Sequence, residues 1–140
     1  MPETKSSLRQ YFDRYAQLAS GSEPSALAAL YAPTFIIAGP NGSEAFTNDN
    51  RVLDWLNQVS DFNRRHGLRL LRPVAIEEMS LSPIHSLARV TWGTRFEKTG
   101  DRLITFDISY MLERFDDSWR ILAYVSRNDQ EDAMRVEGLL

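Results

Sequence analysis

The stretch Leu103-Ile104-Thr105-Phe106-Asp107-Ile108-Ser109-Tyr110-Met111-Leu112 decides the fold class. Ile104, Phe106, Ile108, Tyr110 and Leu112 alternate with Thr105, Asp107, Ser109 and Met111. A period of two is the mark of a strand with two chemically different faces. Residues 118–127 continue the pattern beyond Asp116-Asp117, and residues 68–82 and 84–98 precede it. Pro83, Thr99-Gly100 and Asp116-Asp117 supply the turns, so residues 68–127 read as four consecutive strands, with 101–115 the third.

The first half of the chain has the other periodicity. Leu8, Tyr11, Phe12, Tyr15, Leu18 and Ala19 form one helical face over residues 7–20, with Ser7 and Gln10 as a capping box and Gly21 as the stop. A short second helix follows Pro24. Phe35-Ile36-Ile37-Ala38 reads as a strand closed by the turn Gly39-Pro40-Asn41-Gly42. A third helix starts near Thr47 or Asn48, carries Val52, Trp55, Leu56, Val59 and Phe62, and ends at Gly67. A short helix from Asp129 to about Glu137 closes the chain. Helices followed by a run of strands predict an α+β domain with an antiparallel sheet.

The 140 residues fit one domain, and 43% hydrophobic content with a net charge of −3 supports a sizeable core. Without cysteine there is no disulfide and no thiolate nucleophile. The acidic balance argues against nucleic acid as the main partner. No apolar run is long enough for a membrane span, and the polar opening residues lack an apolar leader segment, so the expected location is cytoplasmic. Phosphate-loop, dinucleotide and nucleophile-elbow motifs are missing. Glu77, Glu78 and His85 lack metal-ligand spacing, so no metal or other cofactor is expected. Arg64, Arg65, His66, Arg69 and Arg72 read as a cationic helix end, with anion binding as the alternative.

Two-residue turns at Thr99-Gly100 and Asp116-Asp117 would set the register. Trp92 would then face Asp107, Met111 would face Leu122, Ser109 would face Tyr124, and Asp107 would face Ser126. One sheet face would carry Trp92, Asp107, Ser109, Met111, Leu122, Tyr124 and Ser126. The opposite face would carry Ile104, Phe106, Ile108, Tyr110, Leu112, Ile121, Ala123 and Val125. Three helices cover one face, and an apolar patch on the other predicts self-association as a two-fold dimer.

The order of elements resembles the NTF2-like superfamily, which includes nuclear transport factor 2, ketosteroid isomerases and SnoaL-like cyclases. The carriers are the Leu8–Leu18 helix, Gly21, Ala28-Ala29-Leu30-Tyr31-Ala32-Pro33, Gly39-Pro40-Asn41-Gly42 and Ser118-Trp119-Arg120-Ile121. The resemblance covers essentially the whole chain, residues 1–140 as a single domain. It implies a cystatin-like curved sheet wrapped around the N-terminal helices as a cone, with a small-molecule pocket inside and a convex face that often dimerises.

The enzyme signature of that superfamily does not carry over. Gly39 stands where ketosteroid isomerases place their general-base aspartate. Met111 stands at the position of the acid that stabilises the oxyanion, and Tyr15 matches the first-helix tyrosine to within about one residue. His66 and His85 do not form the histidine pair of scytalone-dehydratase-like chemistry.

The resemblance places the Asp107 face inside the cone. The expectation is a small, largely apolar ligand held by Trp92, Met111, Leu122 and Tyr124, with Asp107, Ser109, Ser126 and Tyr15 as polar contacts. A cofactor-free isomerase, cyclase or dehydratase using Asp107, with Tyr15, for proton transfer is one alternative. A non-catalytic dimeric scaffold with a filled cone is the other.

Overall fold

The computed structural model describes residues 3–20 and 23–126. The N-terminal amphipathic stripe forms α1 (Glu3–Ser20), which begins four residues before the expected start, so position 7 lies within the helix. Pro24 opens α2 (Pro24–Ala28) at a first-turn position, where its missing N–H costs nothing. β1 (Tyr31–Gly39) and β2 (Gly42–Thr47) form a hairpin across Pro40-Asn41, followed by α3 (Asn50–Arg65). β3 (Leu68–Ser82), β4 (His85–Phe96), β5 (Ile104–Phe115) and β6 (Ser118–Ser126) complete the fold. The predicted closing helix from Asp129 and the last residue of the fourth expected strand lie outside the described residues.

The six strands form one curved sheet in the order β2-β1-β6-β5-β4-β3. Its neighbours are antiparallel apart from β1 and β6, which run parallel with Tyr31 beside Ile121 and Ile37 beside Tyr124. That pairing starts β1 at Tyr31, four residues before the strand expected at Phe35. β2 was not expected as a strand. It is an edge strand with Phe46 as its one large apolar side chain, so its sequence carries little alternation.

Two departures in the sheet reverse the side-chain assignments of β5 and set Leu122 apart. The first is the β4–β5 connection. Thr99-Gly100 does not form a two-residue turn; Glu97–Thr99 form a 3-10 turn, and the Gly100 N–H donates to Phe96 O at 3.1 Å with φ +62 at Gly100. A two-residue hairpin of type I′ needs positive φ at both central positions, which a β-branched threonine resists. The register therefore pairs Thr94 with Ile104, Trp92 with Phe106 and Thr91 with Asp107, one residue from the expected pairing. A slip of one residue moves a whole strand's side chains to the opposite face.

The second departure is a bulge. The Asp116-Asp117 turn has two residues as expected, with Asp116 at φ 55, a region aspartate tolerates. Leu112 accordingly pairs with Ile121, but Met111 pairs with Ala123 and Tyr110 with Tyr124. Leu122 is the extra residue, and it lets Ile121 and Tyr124 both point to the concave side.

The helices lie across the concave face. Phe12 and Tyr15 of α1 pack on Trp92 and Tyr110, with ring centroids 4.9–6.2 Å apart. Among the described residues no helix is long and apolar enough to cross a membrane.

The link between α2, β1 and α3 is made by Asn48. Its side-chain amide donates to the carbonyls of Ala28 (2.8 Å), Tyr31 (3.2 Å) and Ala32 (3.3 Å), while its backbone N–H donates to Pro33 O at 2.8 Å. With Asn48 so engaged, the cap of α3 passes to Asp49, whose carboxylate accepts from the Arg51 N–H at 3.0 Å. Asn48→Ala removes the shared donor and should lower unfolding free energy by about 2–3 kcal/mol. Urea titration measures this; a loss below about 0.5 kcal/mol would show that the side chain does not hold the junction.

Candidate ligand cavity

Because β4 and β5 present their even-numbered residues inward, the concave face is built from Trp92, Thr94, Phe106, Ile108 and Tyr110, joined by Tyr124 past the bulge. Helix α1 adds Tyr15, Leu18 and Ala19, and α3 adds Leu56, Val59, Ser60 and Asn63. Together with Leu27, Leu68 and Leu71 they enclose a cavity of about 90 Å³ beside the aromatic core. Exposed Glu23 and half-buried Pro24 stand at its edge. Tyr124 and Val59 separate it from an open groove of about 560 Å³ between the β1–β2 hairpin, α3 and β6, lined by Gly39, Trp55 and Ser126 among others.

The structure brings together Tyr15, Trp92 and Tyr124 of the residues expected in the pocket, and places Ser126 in the outer groove. It puts the others elsewhere. Asp107 lies on the convex face, where its carboxylate accepts from Thr91 Oγ1 at 2.8 Å and stands 3.7 Å from Arg89 Nη2. The expected contacts with Trp92 and Ser126 are thereby lost, because both pair with inward residues of β5. Ser109 and Met111 share the outer face with Asp107, opposite Arg89 and Leu87 respectively. Leu122 is the bulge residue and does not line the cavity. No proton-transfer role inside the cone is open to Asp107 in this arrangement.

Phe106, Ile108 and Tyr110 were assigned to the opposite face and are the residues that sequence reasoning missed. The β-branched residue at the expected Thr99-Gly100 turn was the available warning. Neither histidine reaches the cavity. His66 Nδ1 is 2.8 Å from Phe62 O, and His85 lies between Ser82 Oγ (2.8 Å) and Glu113 Oε1 (3.1 Å). Among the described residues no three His, Cys, Asp or Glu side chains gather to hold a metal ion.

Among the described residues, the polar groups along the cone are phenols and an indole, with the Thr94 and Ser60 hydroxyls and the Asn63 amide. The Tyr15 and Tyr31 hydroxyls are 2.6 Å apart, Trp92 Nε1 donates to the Tyr110 hydroxyl at 2.9 Å, and the Tyr11 hydroxyl donates to Leu30 O at 2.5 Å. Burial pushes Tyr15 up to about 12, partly offset by its bond with Tyr31. Burial also raises Tyr11, Tyr31, Tyr110 and Tyr124, and neighbouring phenols reinforce the effect. The cavity therefore offers uncharged hydrogen-bonding groups on an apolar wall, a combination suited to holding a small molecule in a set orientation.

The comparisons agree with this architecture. A family model described as "NTF2-like protein (DUF6841)" matches residues 2–129. An Asp-to-Asn variant of Rv3472 from Mycobacterium tuberculosis, of unknown function, superposes with a TM-score of 0.73 at 11% identity, covering 92% of this chain and 78% of that one. An NTF2-like protein of unknown function from Pseudomonas putida KT2440 gives 0.72 at 12% identity, over 95% and 93% of the two chains. A cystatin-like domain of unknown function from Nostoc punctiforme gives 0.69 at 12% identity, over 99% and 86%. At these identities the likeness is one of fold. The comparison with curated proteins finds no match.

The buried phenols make stability depend on alkaline pH. Each is harder to ionise in the folded chain than in the unfolded one, so stability is full below about pH 10 and falls as pH rises toward the folded pKa values. With Tyr15 near 12 when folded, that residue alone accounts for about 2–3 kcal/mol lost by pH 12. Denaturant midpoints at pH 7, 9, 10 and 11 should stay level and then fall. Tyr15→Phe should flatten part of the fall, and a midpoint unchanged at pH 11 would contradict the assignment.

Proposed function

This chain belongs to the NTF2-like family of the DUF6841 model, and from that premise we propose that it binds a small, largely apolar molecule inside the cone. The observation that carries the reading is the cavity between α1, α3 and the concave sheet, whose wall is aromatic and aliphatic. Its polar groups are few and come from several elements, the usual make-up of a small-molecule site.

We further propose that the convex face joins a second copy. Ala45, Ile36, Ala123, Met111, Leu87 and Met79 occupy paired positions on successive strands, forming an apolar row across all six. Met79 is 59% exposed, Ile36 45% and Met111 37%. The next row contains Ala38, Val125, Ser109, Arg89 and Glu77, so charges of both signs flank the apolar band. A two-fold contact brings the same patch together from both copies and suits a self-complementary surface of this kind.

Native mass spectrometry of protein purified from its own host tests both proposals. The expected result is twice the chain mass plus a bound small molecule. Val59→Phe should fill the cavity and remove the added mass without dissociating the dimer. Met111→Lys should give a monomer at micromolar concentration, because it puts a charge at the middle of the row. A wild-type monomer would end the dimer proposal, and consistently ligand-free protein would end the binding proposal.

A further inference from the structure

The charges around the hollow have one sign. Among the described residues, the linings of the inner cavity and the outer groove contain no Lys, Arg or His, and their two carboxylates are Glu23 and Glu44. Glu23 stands at the edge of the cavity. Glu44 belongs to the groove, and its place follows from the sheet register. It pairs with Ile37, which pairs with Tyr124, so the three occupy one row on the concave face. Phe46, two residues along β2, stands on the same side. Glu44 is exposed, and no cation among the described residues pairs with it.

The aromatic faces add to the negative side. Trp55 of α3 lies nearly parallel to Phe46 (20°, centroids 6.3 Å apart) and nearly perpendicular to Tyr124 (87°, 6.3 Å). The three rings make a corner in the groove, and each keeps part of its surface exposed. The face of an aromatic ring is the negative part of its quadrupole, and tryptophan offers the best such face to a cation. A cation beside Trp55 is therefore attracted by both the rings and the carboxylate, whereas an anion is repelled by both. The groove also has room for one. It holds about 560 Å³, and a side chain at Gly39 would meet no neighbour within 4 Å.

Resting on the reading of the cone as a small-molecule site, we propose that the groove between the β1–β2 hairpin, α3 and β6 recognises an alkylated ammonium group, held against Trp55, Phe46 and Tyr124 with Glu44 as its countercharge. The ligand is then an apolar amine whose cationic end sits in the groove. Alkyl groups on the nitrogen suit the aromatic wall, as in the cages that hold quaternary ammonium ions.

Three probes of nearly the same shape test this. They are (4-hydroxyphenyl)trimethylammonium, its neutral isostere 4-tert-butylphenol, and 4-hydroxybenzenesulfonate, all used below the pKa of their phenols. Each is titrated into the wild-type chain, with binding followed by the chemical shift of the Trp55 indole N–H. The cation should bind at least about tenfold tighter than the neutral phenol, and the sulfonate should be the weakest. Intermolecular NOEs should run from the N-methyl protons to the rings of Trp55, Phe46 and Tyr124, a readout that needs no variant. Glu44→Gln should weaken the cation about threefold and Glu44→Lys about tenfold, with the neutral phenol held within about twofold in both. Edge strands accommodate lysine, so the second variant is expected to fold.

A neutral phenol that binds as tightly as the cation overturns the ammonium proposal while small-molecule binding stands. N-methyl contacts that miss Trp55, or a cation affinity unchanged in both Glu44 variants, overturn the assignment of the groove. Failure of all three probes to bind overturns the ammonium proposal, and the native mass spectrum then decides the binding reading separately.

Discussion

Tyr15 ties the first helix to three strands at once, and the interior is arranged around that contact. Its ring lies 5.5 Å from Trp92 of β4, 6.2 Å from Tyr110 of β5 and 6.1 Å from Tyr31 of β1, measured between centroids. Its hydroxyl meets that of Tyr31. Aromatic residues contribute large apolar area, but each tyrosine and tryptophan also brings a polar atom that must be satisfied when buried. Here those atoms meet one another. The result is a core that stays uncharged through the physiological range and leaves the cavity between α1, α3 and the sheet.

The division of the sheet into two chemically distinct faces follows from parity. Alternation along a strand separates two sets of side chains but does not say which set points inward. That choice is made at the connections. Aspartate at position 116 accepts a positive φ and permits the short β5–β6 turn. Threonine at position 99 favours a 3-10 turn, which reverses β5 relative to β4. The bulge at Leu122 then restores Tyr124 to the concave side. The Asp107 carboxylate is turned outward by this sequence of events, and Phe106, Ile108 and Tyr110 are turned in.

The convex face has a different character. Arg89 lies between Glu77 (3.9 Å) and Asp107 (3.7 Å), and Thr91 donates to the Asp107 carboxylate. Half-exposed pairs of this kind contribute little to stability. They do mark the border of the apolar row through Met111 and Met79. The 43% hydrophobic content is thus distributed among a packed core, a cavity wall and an exposed band on the outside.

The sequence by itself determined the element types and their order from α1 to β6 apart from the edge strand β2, the inward stripes of α1 and α3, the turns at Gly39–Gly42 and Asp116-Asp117, and the family. These depend on periodicity, on proline and on residues tolerant of positive φ, all of which are local. It also identified Tyr15, Trp92 and Tyr124 as chemically notable. Only the tertiary structure decided where β2 pairs, how Asn48 spans three carbonyls, and which side of each strand meets the helices. The physical reason is that a single residue at a turn or bulge inverts a strand, and its effect is settled by the packing of the entire sheet against α1.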